Sequence, residues 1–124
     1  MSMIRKLMLI LCPILILSCN KTKDMNLISS NQMQEAINDS SQVLDVRTPG
    51  EFSEGHIPGA LNIDVNSPGF SQAVNVLDKE KPVYVYCRSG QRSSRAAREL
   101  REIGFDTVYD LEGGIMAWEG QIEN

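Results

Sequence analysis

The sequence predicts an α/β domain with a three-layer α/β/α arrangement, a parallel sheet covered by helices on both faces. Three observations carry that prediction. Short β-branched or aromatic runs alternate with segments of helical spacing along most of the chain. The 124 residues are enough for one domain and no more. A composition of 42% hydrophobic and 23% charged residues is that of a globular chain, not a disordered one.

The first residues stand apart from this pattern. Met1 to Lys6 form a short basic stretch, and residues 7–17 are apolar throughout. A membrane-spanning helix needs about 20 apolar residues, so the run has the length of a signal-peptide core instead. It ends in Leu15-Ile16-Leu17-Ser18-Cys19 before a polar stretch, which resembles the lipobox of bacterial lipoproteins. That resemblance implies a signal peptide over residues 1–18, cleavage before Cys19 and lipid on its sulfur. An ordinary signal peptide or an uncleaved anchor is the alternative. Residues 19–25 then form a polar tether, and residues 26–122 form the domain. A multiply acylated Cys19 would hold it at the cell envelope, on the periplasmic or surface side of a bacterial membrane, because each buried CH₂ contributes about 0.8 kcal/mol.

The elements follow in order. Residues 25–29 read as a short first strand. Ser29 or Ser30 caps a helix reaching about Asn38, with Met33, Ala36 and Ile37 at helical spacing. Residues 42–46 read as a buried strand. Residues 45–60 hold two prolines and three glycines and read as a shaped loop. Residues 60–63 form another short strand, and residues 69–77 carry a modest helical pattern. The run Val83-Tyr84-Val85-Tyr86 is a strand that stops at Cys87. A helix over about residues 93–103 puts Ala96, Ala97, Leu100 and Ile103 on one face and most of its charges on the other. Gly104 stops it. Residues 105–110 form the last strand, and Glu112-Gly113-Gly114 turns into a final short helix bearing Ile115 and Trp118.

The strand ending at Cys87 is followed by a loop with one glycine and two arginines, and then by a helix. Loop N–H groups converge in such a turn, and the helix N-terminus adds roughly half a positive charge. A thiol placed there is expected to lose its proton readily, which makes Cys87 the candidate nucleophile. Ligands in parallel sheets bind at the carboxyl ends of strands, where Cys87 lies. Loss of residues 1–18 would remove Cys12, and lipid would cap Cys19, leaving Cys87 as the single free thiol. A disulfide framework and a Cys-x-x-Cys redox motif are both excluded. The same cleavage removes Arg5 and Lys6 and no acid, taking the formal charge from −4 to −6. An acidic domain without a basic patch is not expected to bind nucleic acid.

Four landmarks occur in one order: Asp45-Val46-Arg47; Glu51-Phe52 with Gly55-His56-Ile57-Pro58-Gly59-Ala60; Cys87-Arg88-Ser89-Gly90-Gln91-Arg92; and Gly113-Gly114-Ile115 with Trp118. Together they resemble a single-domain rhodanese. The resemblance implies a five-stranded parallel sheet flanked by helices, with the cysteine loop as active site. It further implies transfer of sulfane sulfur from thiosulfate or a polysulfide, through a Cys87 persulfide, to cyanide, a thiol or a protein acceptor. Arg88, Ser89, Gly90, Gln91, Arg92 and Ser93 would bind the substrate anion, with Arg88 and Arg92 lowering the thiol pKa; Arg92 is expected to turn into the cradle, with solvent as the alternative for both arginines. Asp45 and Arg47 are placed to pair with each other or with loop backbone. The resemblance implies a scaffold role for them, with orientation of the active-site loop as the alternative. His56, the only histidine, reads as a structural hydrogen-bonder more readily than as a base, and Glu51 as structural. No metal or cofactor is called for, since a thiolate is already competent. A monomer is expected for so small a domain.

Two rival functions share this geometry. A cysteine phosphatase or arsenate reductase needs Cys-x5-Arg, but six residues after Cys87 stands Ser93, and Arg92 gives only Cys-x4-Arg. A membrane-tethered binding module or persulfide carrier that does not turn over is the other.

Overall fold

The computed structural model describes residues 26–124, so the expected signal peptide, tether and Cys19 lie outside the described residues. Five strands, β1 (Asn26–Ile28), β2 (Gln42–Asp45), β3 (Leu61–Asn62), β4 (Val83–Tyr86) and β5 (Val108–Leu111), form one sheet in the order β1-β5-β4-β2-β3. Every pairing is parallel. The expected five-stranded parallel sheet is therefore present. Four α-helices, α1 (Ser30–Ala36), α2 (Pro49–Glu54), α3 (Phe70–Ala73) and α4 (Gln91–Ile103), and two 3₁₀ turns (Val74–Val76 and Gly114–Ala117) connect and cover it.

Strand pleating sorts the apolar residues into two cores, because successive side chains point to opposite faces. On one face Leu44, Val46, Val83, Val85, Cys87 and Val108 meet Phe70, Val74, Ala96, Ala97 and Leu100 from α3, the following turn and α4. On the other, Val43, Tyr86 and Leu111 meet Met33 of α1, Ile57 and the partly buried Trp118. Leu44, Val83, Val85 and Leu100 are fully buried, and each such side chain contributes about 1.5–3 kcal/mol.

Local chemistry sets the helix ends. Ser29 accepts from Gln32 N, and the Gln32 side chain accepts from Ser29 N, a capping box that starts α1. Thr48 and Glu51 do the same for α2, with Pro49 in the first turn. The stretch expected as a shaped loop therefore contains a helix. Its Pro and Gly residues masked a Thr-Pro-Gly-Glu signature. α4 begins two residues earlier than expected, because Gly90 takes the left-handed conformation (φ 117°) and turns the chain directly into it. Gly104 ends α4 in the same conformation.

Candidate active site

β4 delivers Cys87 to the carboxyl edge of the sheet, on the face that α4 covers. The thiol sits at the bottom of the 87–90 turn. Gly90 N donates to Cys87 Sγ at 3.0 Å, and Ser93 Oγ on the first turn of α4 is hydrogen-bonded to Sγ at 3.4 Å. Burial works against the thiolate; the residue is only 1% exposed. Hydrogen bonds from the Ser93 hydroxyl and from the backbone N–H groups of Ser93, Gly90 and Ser89 outweigh it, and the thiol pKa falls below its ordinary value.

The carbonyls of the turn are held from behind, which fixes the orientation of its peptide units. Ile115 N donates to Cys87 O at 2.9 Å, and Met116 N to Arg88 O at 3.1 Å. Both donors belong to the 3₁₀ turn at Gly114–Ala117, which lies against the back of the loop. Gly114 permits that approach. A Cβ there would stand 2.4 Å from Arg88 O and 2.6 Å from Cys87 O, closer than any side chain allows. The second glycine of Gly113-Gly114 is thus part of the cradle's construction, which spacing alone did not reveal.

Arg92 has a partner that the sequence did not reveal. Its guanidinium is held by both Glu51 oxygens, at 2.7 and 2.9 Å, so its cation is compensated instead of facing the cradle alone. It remains near enough to Cys87 for a thiolate to help hold its proton. The largest causes lowering the thiol pKa are hydrogen bonds from Ser93, Gly90 and Ser89, and the Arg92 charge interacts with the same sulfur. Arg88, Ser89 and Gln91 are exposed. Ser93 is fully buried at the sulfur.

Glu51, read from sequence as merely structural, ties α2 to the cradle across 41 residues of chain. The Arg92 hydrogen bonds hold its carboxyl at about 2. Because that value lies below the ordinary 4.5, the pair stabilises the fold fully above pH 4.5 and loses the effect as pH falls towards 2. Both side chains are about a quarter exposed, so the contribution is discounted to about 1 kcal/mol. Glu51→Gln is expected to lower Tm at pH 7 and to leave it nearly unchanged at pH 2, as read by thermal melts across that range. An equal loss at both pH values would show that the charge is not what the pair contributes.

Asp45 and Arg47 form a separate pair beside Tyr86, whose ring lies in the other core, and His56 follows the Gly55 that Arg47 holds. The Asp45 carboxylate accepts from Arg47 N at 2.9 Å, Nε at 3.0 and 3.1 Å and Nη2 at 2.7 Å. Burial opposes the Arg47 charge, but the hydrogen bond and charge of Asp45 outweigh it and the Arg47 pKa rises. Arg47 Nη2 also donates to Gly55 O at 2.7 Å and so holds the end of α2. Its guanidinium lies 5.7 Å from the Tyr86 ring centroid, whose hydroxyl accepts from Ile57 N at 3.1 Å. His56 stacks on Phe52 at 3.7 Å and contacts Phe52 O through Nδ1 and Glu123 through Nε2. These contacts are those of a scaffold. They reach the cradle through Tyr86, the residue before Cys87, and through α2 and its Glu51.

Comparison with known proteins bears on the same cradle. The model of the rhodanese-like domain matches residues 29–121. The chain belongs to the rhodanese-like domain family. Thiosulfate sulfurtransferase GlpE of Shewanella oneidensis is 41% identical over 87 residues, covering 70% of this chain and 82% of that one. The Bacillus subtilis protein YqhL is 45% identical over 83 residues, covering 67% of this chain and 64% of YqhL, so the match spans under two thirds of that relative. A crystal structure of a rhodanese-like domain protein from Staphylococcus aureus superposes with a TM-score of 0.70 at 27% identity, over 80% of this chain and 97% of that one. At family level this rhodanese is a sulfurtransferase or sulfur carrier.

Proposed function

We propose that this rhodanese transfers sulfane sulfur from thiosulfate or a polysulfide to cyanide or a thiol through a persulfide on Cys87. The observation that carries the reading is the convergence of the Gly90, Ser89 and Ser93 donors on one buried, pKa-lowered sulfur at a helix N-terminus. The Cys87 thiolate attacks the outer sulfur of thiosulfate, and the sulfur–sulfur bond of the donor breaks. Sulfite leaves with the electron pair, and Cys87 keeps a terminal sulfur bearing one negative charge. Cyanide then attacks that terminal sulfur, thiocyanate leaves and the thiolate returns. Each step moves negative charge within the cradle without creating more of it. Fixed donors therefore serve thiolate and persulfide alike, with no reorganisation and no general base. The Cys-x4-Arg spacing and the engagement of Arg92 with Glu51 support sulfur over phosphoryl chemistry.

Incubation of the protein with thiosulfate and cyanide tests the reading. Thiocyanate should accumulate with double-displacement kinetics, and protein treated with thiosulfate alone should gain the mass of one sulfur atom on Cys87. A stable adduct without turnover would instead mark a persulfide carrier. The same mass measurement on membrane-derived protein reads the proposed loss of residues 1–18 and acylation of Cys19.

A further inference from the structure

Asp110 is a buried carboxyl group that neither the fold nor the cradle described above requires. It lies on β5 opposite Val85, and strand alternation turns it to the face that Val85 and Cys87 share. Its exposure is 1%, and its Oδ1 has no hydrogen-bond partner. A carboxyl with an orphaned oxygen is costly to bury, and an apolar residue of similar size would remove the cost.

What Asp110 meets is Ser93. Ser93 lies close enough to Asp110, beneath the first turn of α4, to pull the carboxyl pKa down. The Ser93 oxygen also stands 3.2 Å from Gly90 O and 3.4 Å from Cys87 Sγ. A serine has one hydroxyl proton, so the Gly90 carbonyl, the Asp110 carboxylate and a Cys87 thiolate compete for it. We propose that Asp110 is a positioning residue that sets, through Ser93, how strongly the hydroxyl donates to the Cys87 sulfur.

The two states of Asp110 act in opposite directions. When ionised, its carboxylate competes for the Ser93 proton and repels the thiolate. When protonated, its own O–H donates to Ser93 Oγ and the hydroxyl proton is released to the sulfur. Burial pushes the Asp110 pKa up to about 6, with Ser93 and the Arg101 charge pulling it back. The switch therefore falls inside the range in which an enzyme works. Among the described residues, Arg101 from α4 is the charged group that acts on Asp110, and Cys87 at the end of β4 shares its face of the sheet; its β1 neighbour is the apolar Leu27. Arg101 Nη2 lies 3.5 Å from Val108 O, and its Nη1 is buried without a partner. It moderates the carboxylate without pairing with it.

The proposal rests on Cys87 being the sulfur-bearing group, and its test does not depend on turnover. Iodoacetamide alkylation of the full chain, followed on the Cys87 peptide between pH 4 and 9, reads the thiol pKa directly. Asp110→Asn removes the competing charge and is expected to lower that pKa by about 0.5 to 1 unit. Asp110→Ala should shift it the same way, so a folding defect in one variant does not decide the matter. In a Ser93→Ala background the shift from Asp110→Asn should fall to half or less, since the relay is gone. An unchanged thiol pKa in both Asp110 variants, or a shift equally large without Ser93, overturns the proposal. A shifted thiol pKa in a protein that makes no thiocyanate would uphold the relay and reject the sulfur-transfer reading.

Discussion

Replacing Cys87 by serine is expected to lower thiocyanate formation by about a thousandfold or more while leaving the melting temperature almost unchanged. The activity loss follows from what the cradle lacks. It stabilises an anion that is already formed, and among the described residues no ionisable base is hydrogen-bonded to the sulfur to make one. The Gly90, Ser89 and Ser93 donors lower a thiol pKa that begins within reach of neutrality. A serine hydroxyl begins several units higher, and hydrogen bonds of this kind shift a group by only about 1–3 units. The single histidine is engaged with Phe52 and Glu123 and cannot take the proton. Stability should hold, because an oxygen at this position keeps the Gly90 N–H as its donor and leaves little empty space. A thiocyanate assay beside a thermal melt separates the two effects. Residual turnover above about a tenth of wild type would mean that another group carries the sulfur.

Much of this was legible because it is local. The Val-Tyr-Val-Tyr run, the cysteine at its end, the following glycine and the helical pattern after it lie within a dozen residues. Their order specifies strand, turn and helix N-terminus without reference to the rest of the fold. Ser29 could likewise be read as a cap from its own neighbours. The parts that were missed depend on contacts distant in sequence. Arg92 is one turn from the cysteine, and local reading turns it inward; Glu51, 41 residues earlier, claims it. Gly114 reads as an ordinary turn glycine until the Arg88 carbonyl is found where its side chain would be. Asp110 reads as the polar end of a strand. Its burial is set by β5 pairing with β4 and by α4 closing over both, and neither registers in the residues around it. The helix α2 is a different case. Its capping box was present in the sequence but was outweighed by the prolines and glycines beside it.

The largest expected loss of stability comes from the pair that supports the site from the opposite face. Asp45→Ala is expected to cost about 3–5 kcal/mol, a large share of the 5–15 kcal/mol that holds a domain of this size. The reason is asymmetric. Asp45 is fully buried and Arg47 is 6% exposed, so removing the carboxylate strands a guanidinium with few routes to water. Three donors from Arg47 converge on Asp45, and only the bond to Gly55 O would remain among them. If that is the cause, Asp45→Ala combined with Arg47→Leu should be more stable than Asp45→Ala alone, since the uncompensated charge is gone. Urea denaturation of the two variants and the parent measures both quantities. A loss below about 1 kcal/mol in Asp45→Ala would show that water already reaches the pair. The effect on sulfur transfer should be indirect. Arg47 holds Gly55 at the end of α2, and Glu51 of α2 holds Arg92 beside the cysteine, so loosening the pair frees a cation next to the cradle. The folded fraction of the double variant should therefore keep its thiolate while losing the fixed position of Arg92. That outcome predicts a larger change in KM for thiosulfate than in kcat.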